Sequence, residues 1–277
     1  MFDVLLLPWV APTALGVFGL VVGSFLNVVI LRHEKGERLT GRSHCMVCAH
    51  ELHWYELIPV LSYLVQGRKC RRCNTTLSPE YPLVELGTAV LFTAVWLTLD
   101  PFRMIGTVSF IAALVLLHLA AWSLLMVITV YDLRTKLIPD VFSYTFAILA
   151  LVALFLTPSG FVVPGIWALL SGPLYFLPFF ILWAVSGGKW IGLGDGKLAL
   201  GIGWLLGIAE AGTAILFAFW IGALVSLVLL GTQRLVHREG EEQERLTLKS
   251  AVPFGPFLVI GTLIVYFFGI DLFTLLI

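Results

Sequence analysis

Two carboxylates and two cysteine pairs hold the chemistry this sequence can do. Asp195 lies in Gly192-Leu193-Gly194-Asp195-Gly196-Lys197, a polar turn in an otherwise apolar region. An ionisable group at a membrane edge is costly to keep there, so it points to function. Gly192 and Gly194 let the backbone approach a neighbour or an extended substrate strand, because no Cβ intervenes. Lys197 completes the set that supports the loop. Asp132 stands just past another apolar run, in Tyr131-Asp132-Leu133-Arg134. A helix C-terminus disfavours negative charge, so helix stability does not explain Asp132. Two carboxylates brought together cannot both ionise cheaply, and one keeps a proton. They then titrate as a pair. The ionised member activates a water while the protonated member polarises a carbonyl, as in aspartic proteases. The plain alternative is a glycine-rich turn with a solvated Asp.

The thiols are Cys45-Met46-Val47-Cys48 and Cys70-Arg71-Arg72-Cys73, with 21 residues between the pairs. Each CxxC sets two thiolates on one turn, and two such turns complete a tetrahedral site. Disulfides are the competing reading. The surrounding segment reads as cytoplasmic, where thiols stay reduced. Structural zinc on Cys45, Cys48, Cys70 and Cys73 is therefore expected, with iron in an S4 site as the minor alternative. Four cysteines fill the shell, so His44, His50 and His53 are expected at the surface or behind the ligands.

Other polar residues have structural readings. Asp140 follows Pro139 where an Asp caps a helix well. Glu85 suits a helix N-terminus, but pairing with a loop arginine or a place near the active site fits it equally. His118 reads as a hydrogen-bonded packing residue. Gly19-x-x-x-Gly23, with Ser24 and Asn27, suits close helix–helix approach, and Asn27 could also line a substrate groove.

Helices must position these groups. The chain is 59% hydrophobic and 12% charged, with mean hydropathy +0.98. A soluble domain carries roughly 25% charged residues. The fold class expected is an all-α polytopic membrane protein. About eight transmembrane helices are read at 9–31, 83–99, 104–130, 140–157, 161–185, 197–209, 211–231 and 254–276. The sixth is short and glycine-interrupted, and so tilted or partly spanning. The first reads as a retained span, since no basic stretch precedes it and no small-residue cleavage site follows. With eight spans, every Lys and Arg except Arg103 falls on one face. The positive-inside rule makes that face cytoplasmic and leaves both termini outside. The expected domains are 1–31 as first helix, 32–80 as a small cytoplasmic zinc-binding domain, and 81–277 as a seven-helix membrane domain holding the aspartate pair. The charged run 238–245 reads as a solvated loop, and Pro253-Phe254-Gly255-Pro256 as an irregular helix entry that could wall the groove.

The motifs together resemble the bacterial type IV prepilin peptidase family, bifunctional leader peptidases and N-methyltransferases of the GxGD aspartic membrane protease group. The resemblance rests on Gly23-Ser24-Phe25-Leu26-Asn27, the double CxxC with Leu57-Ile58-Pro59 between, and Tyr81-Pro82-Leu83-Val84-Glu85. It extends to Asp132 with Ile138-Pro139-Asp140, Gly192-x-Gly194-Asp195-x-Lys197, and Pro253-Phe254-Gly255-Pro256. It implies that Asp132 and Asp195 cleave a short basic leader after a Gly at the cytoplasmic face of the inner membrane. It also implies N-methylation of the new N-terminal residue with S-adenosylmethionine, at a site it does not locate. Implied partners are type IV prepilins, the pseudopilins of type II secretion and the lipid bilayer, with no nucleic acid. Met46 stands where the family often has Pro, and Glu80 where a basic residue is expected. The alternatives are another GxGD intramembrane protease without methyl transfer, a non-catalytic scaffold for pilus assembly, and a transporter using the two acids as a proton relay. Both acids at one face, and no visible inverted repeat, weigh against the transporter.

Overall fold

The computed structural model describes residues 9–101, 104, 107–157, 160–236 and 252–275. Arg103 and the charged run 238–245 lie outside them. The helices are α1 (Val10–Lys35), α2 (Leu61–Val65), α3 (Glu80–Leu99), α4 (Val108–Thr135), α5 (Asp140–Leu154), α6 (Ile166–Ser186), α7 (Leu193–Leu206), α8 (Ile208–Val236), α9 (Gly255–Phe268) and α10 (Leu272–Leu275). Among the described residues five helices, α1, α3, α4, α6 and α8, are long and apolar enough to cross a membrane. Helices α5, α7 and α9 have 15, 14 and 14 residues. Leu156–Thr157 (β1) and Gly160–Phe161 (β2) form a two-stranded sheet. The expected fourth span, α5, therefore stops short of 157, and the expected fifth, α6, starts after Pro164-Gly165, not at 161. A Pro-Gly pair punctuates the chain and resets where a helix can begin.

The chain divides into two compact units, Met1–Val130 with Pro158–Gly160, and Tyr131–Thr157 with Phe161–Ile277, the division falling within α4. This places the 32–80 segment in one body with α1 and α3, and Asp132 in the other with Asp195.

In the first unit α1 packs along α3. A Cβ on Gly19 would lie 2.7 Å from Ala89 Cα, and one on Gly23 would lie 2.7 Å from Glu85 Cα. The glycine spacing is thus a helix–helix contact of the small-residue type. Asn27 closes the same seam, its Nδ2 donating to Tyr81 O at 3.1 Å. His118 Nδ1 bonds Leu114 O one turn back, at 2.9 Å, inside a buried stretch of α4.

In the second unit α7 is central, packing against α5, α6, α8 and α9. Gly201 and Gly203 lie inside it without breaking it, whereas Gly207, at φ 85°, ends it at Leu206, short of the expected 209. Gly201 meets the Phe146 ring of α5, and Gly203 meets the Ser171 carbonyl of α6. Helix α6 contains Pro173 and Pro178. Pro173 has no N–H to offer the carbonyl of residue 169. Trp204 of α7 fills that gap, its Nε1–H donating to Leu169 O at 2.9 Å. The outer face of α6 presents Trp167, Leu174, Leu177, Ile181 and Val185, an apolar surface suited to lipid.

Candidate active site and metal centre

Asp132 lies in the last turn of α4, which ends where Lys136 turns to φ 56° and its N–H bonds Asp132 O at 2.8 Å. Asp132 is 4% exposed. Its Oδ2 accepts the Gly255 N–H at 3.0 Å. Gly255 is the first residue of α9, so that amide is one of the donors a helix start leaves without an intrahelical partner. The carboxylate opposed by the dipole of its own helix thus sits on the positive end of another.

Asp195 is held in an analogous way. Gly192 is the N-cap of α7, which makes Asp195 the third helical residue. A Cβ on Gly192 would lie 3.3 Å from Asp195 Oδ2, so the carboxylate folds back over the helix start, where the dipole favours negative charge. Asp195 is 9% exposed and lies within electrostatic reach of Asp132.

Ile138 packs between the two helix starts. A Cβ on Gly194 would lie 2.8 Å from Ile138 Cβ. One on Gly255 would lie 3.1 Å from Ile138 Cδ1 and 2.7 Å from Asp132 Oδ2. Glycine at both positions lets the α4–α5 connection enter between α7 and α9. Phe254, next to Gly255, fixes the α9 entry by packing its ring at a tilt against Phe219 (centroids 4.8 Å apart) and Phe179 (6.4 Å). The irregular Pro253-Phe254-Gly255-Pro256 entry thus delivers an amide to Asp132. Its sequence signal is a glycine between two prolines, but the partner is 123 residues away.

Asp140 does not cap a helix. The N-cap of α5 is Pro139, and no side chain caps it. The Asp140 carboxylate is 64% exposed and accepts from Lys197 Nζ at 2.6 Å, and that ammonium lies 4.9 Å over the Tyr144 ring. Lys197 therefore ties α7 to α5 two residues beyond Asp195.

Glu85 is buried in the first unit and accepts the Val60 N–H at 2.6 Å. No arginine pairs with it among the described contacts. Val60 has φ 59° and ψ −49°, a conformation a β-branched residue rarely adopts.

The cysteines gather as their spacing suggests. Cys45 Sγ is 3.9 Å from Cys73 Sγ, and Cys48 Sγ is 4.0 Å from Cys70 Sγ. All four ligand atoms lie within 4.8 Å of one another. Thiolates at about 2.3 Å from a tetrahedral zinc stand about 3.8 Å apart, so the cluster fits the ion. The two halves repeat one turn. Ala49 N–H bonds Cys45 O and Asn74 N–H bonds Cys70 O, each at 2.9 Å. Cys45 N–H bonds His50 O at 2.8 Å and Cys70 N–H bonds Thr75 O at 2.9 Å. Ala49 and Asn74 take φ 54° and 55°. Amides of Cys73 and Arg72 aimed at the Cys70 sulfur hold that thiol down at about 7. The His50 amide favours the Cys48 thiolate, but burial and the other thiols outweigh it and push that thiol up to about 11. A bound dication favours thiolates at all four positions. His50 and His53 lie beside Glu56, which accepts the His53 N–H at 2.9 Å.

A helical membrane protein with paired buried carboxylates on helix starts and a tetracysteine site is a narrow class. The model of the bacterial peptidase A24 N-terminal domain matches residues 17–99, and that of the type IV leader peptidase family matches 119–227. The chain belongs to the type IV leader peptidase family. It is 31% identical over 255 residues to a prepilin leader peptidase/N-methyltransferase of Bacillus subtilis, covering 91% of this chain and 92% of that protein. A protein so named from Aeromonas salmonicida is 31% identical over 294 residues, covering 95% and 92%. One from Myxococcus xanthus is 37% identical over 235 residues, covering 82% and 66%. No solved structure gives a significant match.

Proposed function

We infer that this chain cleaves the leader from type IV prepilins and pseudopilins with Asp132 and Asp195, and N-methylates the new N-terminal residue. The observation that carries the reading is the pair itself. Two carboxylates, each under one-tenth exposed, lie within electrostatic reach of each other at the starts of two helices. Relatives named prepilin leader peptidase/N-methyltransferase supply the substrate class and the second activity.

In the cleavage step the ionised carboxylate takes a proton from water as the water oxygen attacks the scissile carbonyl. The protonated partner polarises that carbonyl. The peptide C–N bond then breaks with a proton delivered to the departing amine. Gly255 N–H orients Asp132, while Gly192 leaves room for the Asp195 carboxylate and Gly194 for Ile138 at the start of α7. Lys197 and Asp140 steady α7 and stay outside the chemistry. S-adenosylmethionine is the methyl donor in this reading, and zinc on the four cysteines folds the 32–80 loop without reacting.

The protein sits in the cytoplasmic membrane. In this reading α5, α7 and α9 are also embedded, which makes eight spans with both termini outside. Short helices can serve where neighbouring helices or a water-filled cavity surround their ends. The basic connections then face the cytoplasm, and the dyad with them. Along the sequence this reading gives a first helix (1–31), a zinc-bearing loop (32–80) and seven further helices (81–277) that include those bearing the aspartate pair.

Purified protein in detergent, incubated with a prepilin and read by mass, tests this. Cleavage should be followed by a further gain of one methyl mass when S-adenosylmethionine is present. Asp132→Asn and Asp195→Asn should each abolish cleavage, and Asp132→Asn should still methylate a pre-cleaved peptide. Asp140→Asn should be much milder, since it loses a half-exposed ion pair and no reacting group. Loss of cleavage in Asp140→Asn with activity kept in Asp132→Asn would move the first catalytic carboxylate to Asp140.

A further inference from the structure

Part of the cysteine loop carries its apolar residues on the outside. Helix α2 spans only Leu61–Val65. Leu61, Leu64 and Val65, at i, i+3 and i+4, share one face and are each more than half exposed. Ser62 and Tyr63 face the other way, into a cavity shared with α1 and α3. That pattern is the reverse of a helix in water, which buries its apolar stripe. The single helical turn Trp54–Leu57 packs against α2, and Trp54 is 77% exposed. Exposed apolar surface of this extent marks a protein or a membrane contact.

Its depth favours the membrane. Helix α3 has 20 residues, a rise of about 30 Å, equal to the hydrocarbon core of a bilayer. Glu85, the sixth residue of α3, lies about 7 Å inside its start. Val60, immediately before α2, donates its N–H to Glu85 Oε2 at 2.6 Å. Ser24 of α1 lines the same cavity as Ser62 and Tyr63, about three turns before that helix ends at Lys35. Residues 57–63 therefore run along the flanks of two helices long enough to cross the membrane, not above their ends. Phe25 of α1 and Leu83 of α3, at the same level, are also more than half exposed.

Charge fits the same occupant. Residues 57–79 contain Arg68, Lys69, Arg71 and Arg72 and no Asp or Glu. All four basic side chains are exposed. Gly67 and Arg68, at φ 59° and 62°, close α2 by donating their N–H groups to Leu64 O and Tyr63 O. The chain thus passes from the apolar face straight into the basic run. The Arg71 guanidinium lies 5.1 Å over the Tyr55 ring, which ties that run back to the Trp54–Leu57 turn. An apolar face with basic neighbours is the composition of a segment lying in an anionic membrane surface.

We propose that residues 54–65 form an interfacial membrane anchor. Leu61, Leu64 and Val65 enter the acyl boundary, Trp54 sits at headgroup level, and Arg68, Lys69, Arg71 and Arg72 meet lipid phosphates. The cysteine loop is then held to the bilayer along its length as well as at its two ends. The inference uses neither the cleavage nor the methylation reading and needs only α1 and α3 in the bilayer.

Spin labels on the full-length, zinc-loaded chain in lipid nanodiscs test it. Leu64→Cys is labelled and its collision rates with dissolved oxygen and with an aqueous nickel chelate are compared. Val21→Cys, on the exposed face of α1, gives the value for lipid, and Arg38→Cys, past the end of α1, gives the value for water. Unsubstituted protein treated with the same label gives the background from the native thiols, and zinc content reports folding. The label at 64 should resemble that at 21, with oxygen collisions exceeding nickel collisions. In discs containing phosphatidylglycerol, adding Arg68→Gln and Lys69→Gln should shift the label at 64 toward water. In phosphatidylcholine discs the same pair should leave it unchanged, because no anionic headgroup is lost. Nickel access at 64 equal to that at 38 overturns the anchor. Shielding from both reagents assigns the face to a protein partner and overturns it as well. An unshifted label in phosphatidylglycerol discs overturns the phosphate contacts.

Discussion

At the scale of single residues, the site depends on amides as much as on acids. Asp132 sits where its own helix disfavours it, and the Gly255 amide reverses that penalty. The contact leaves no room for a side chain on residue 255. In Gly255→Ala the new methyl would start 2.7 Å from Asp132 Oδ2 and 3.1 Å from Ile138 Cδ1. The carboxylate or the α9 start must shift, and misplacement of a reacting group by about 1 Å can cost on the order of 10²-fold in rate. Turnover of a prepilin peptide by Gly255→Ala should fall by about that factor, while zinc content stays at the wild-type level. An unchanged kcat would show that Asp132 does not need this amide.

Among the helices, α6 and α7 show how a membrane protein accommodates proline. Pro173 leaves Leu169 O without its helical donor, and the Trp204 indole supplies one. Gly172 makes room, since a Cβ there would lie 2.6 Å from the Trp204 ring. Trp204→Phe keeps an aromatic ring but removes the N–H. An unsatisfied buried carbonyl costs about 1–3 kcal/mol, so the melting temperature in detergent should drop. Adding Pro173→Ala restores an N–H at the right place in α6, and the double variant should recover part of the loss. Equal melting of Trp204→Phe with and without Pro173→Ala would mean the carbonyl finds another donor. The same α7 begins with Asp195, so loosening it should also lower cleavage.

For the whole molecule, the chain divides into two units: a cysteine-bearing body with α1 and α3, and a body containing Asp132 and Asp195. Metal removal should affect them unequally. Protons compete with metal for thiolates, so acid and chelators both release zinc. Purified protein should contain one zinc per chain, and Cys70→Ser should lose most of it. The cysteine loop should then become protease-sensitive, because the metal supplies folding energy that a loop of this size lacks. Elemental analysis with limited proteolysis checks both outcomes. Zinc near zero in active wild-type protein with four free thiols would refute a structural metal.

The sequence by itself determined what depends on neighbours along the chain. Long apolar runs dictate helices in lipid because the backbone must bond to itself there. Two CxxC pairs dictate a four-sulfur cluster because each pair already shares a turn. Glycine spacing in α1 marked a helix contact, although not its partner. The tertiary structure decided the pairings across distance. Gly255 reaches Asp132 over 123 residues, Lys197 reaches Asp140 over 57, and Glu85 reaches Val60 over 25. None has a periodic signature, because each is set by how helix ends meet once the apolar faces have packed. Asp140 looked like a cap and is an ion-pair partner. Glu85 had three readings and accepts the amide of the strained Val60. Local chemistry fixes which residues can act, and packing fixes which partner each one finds.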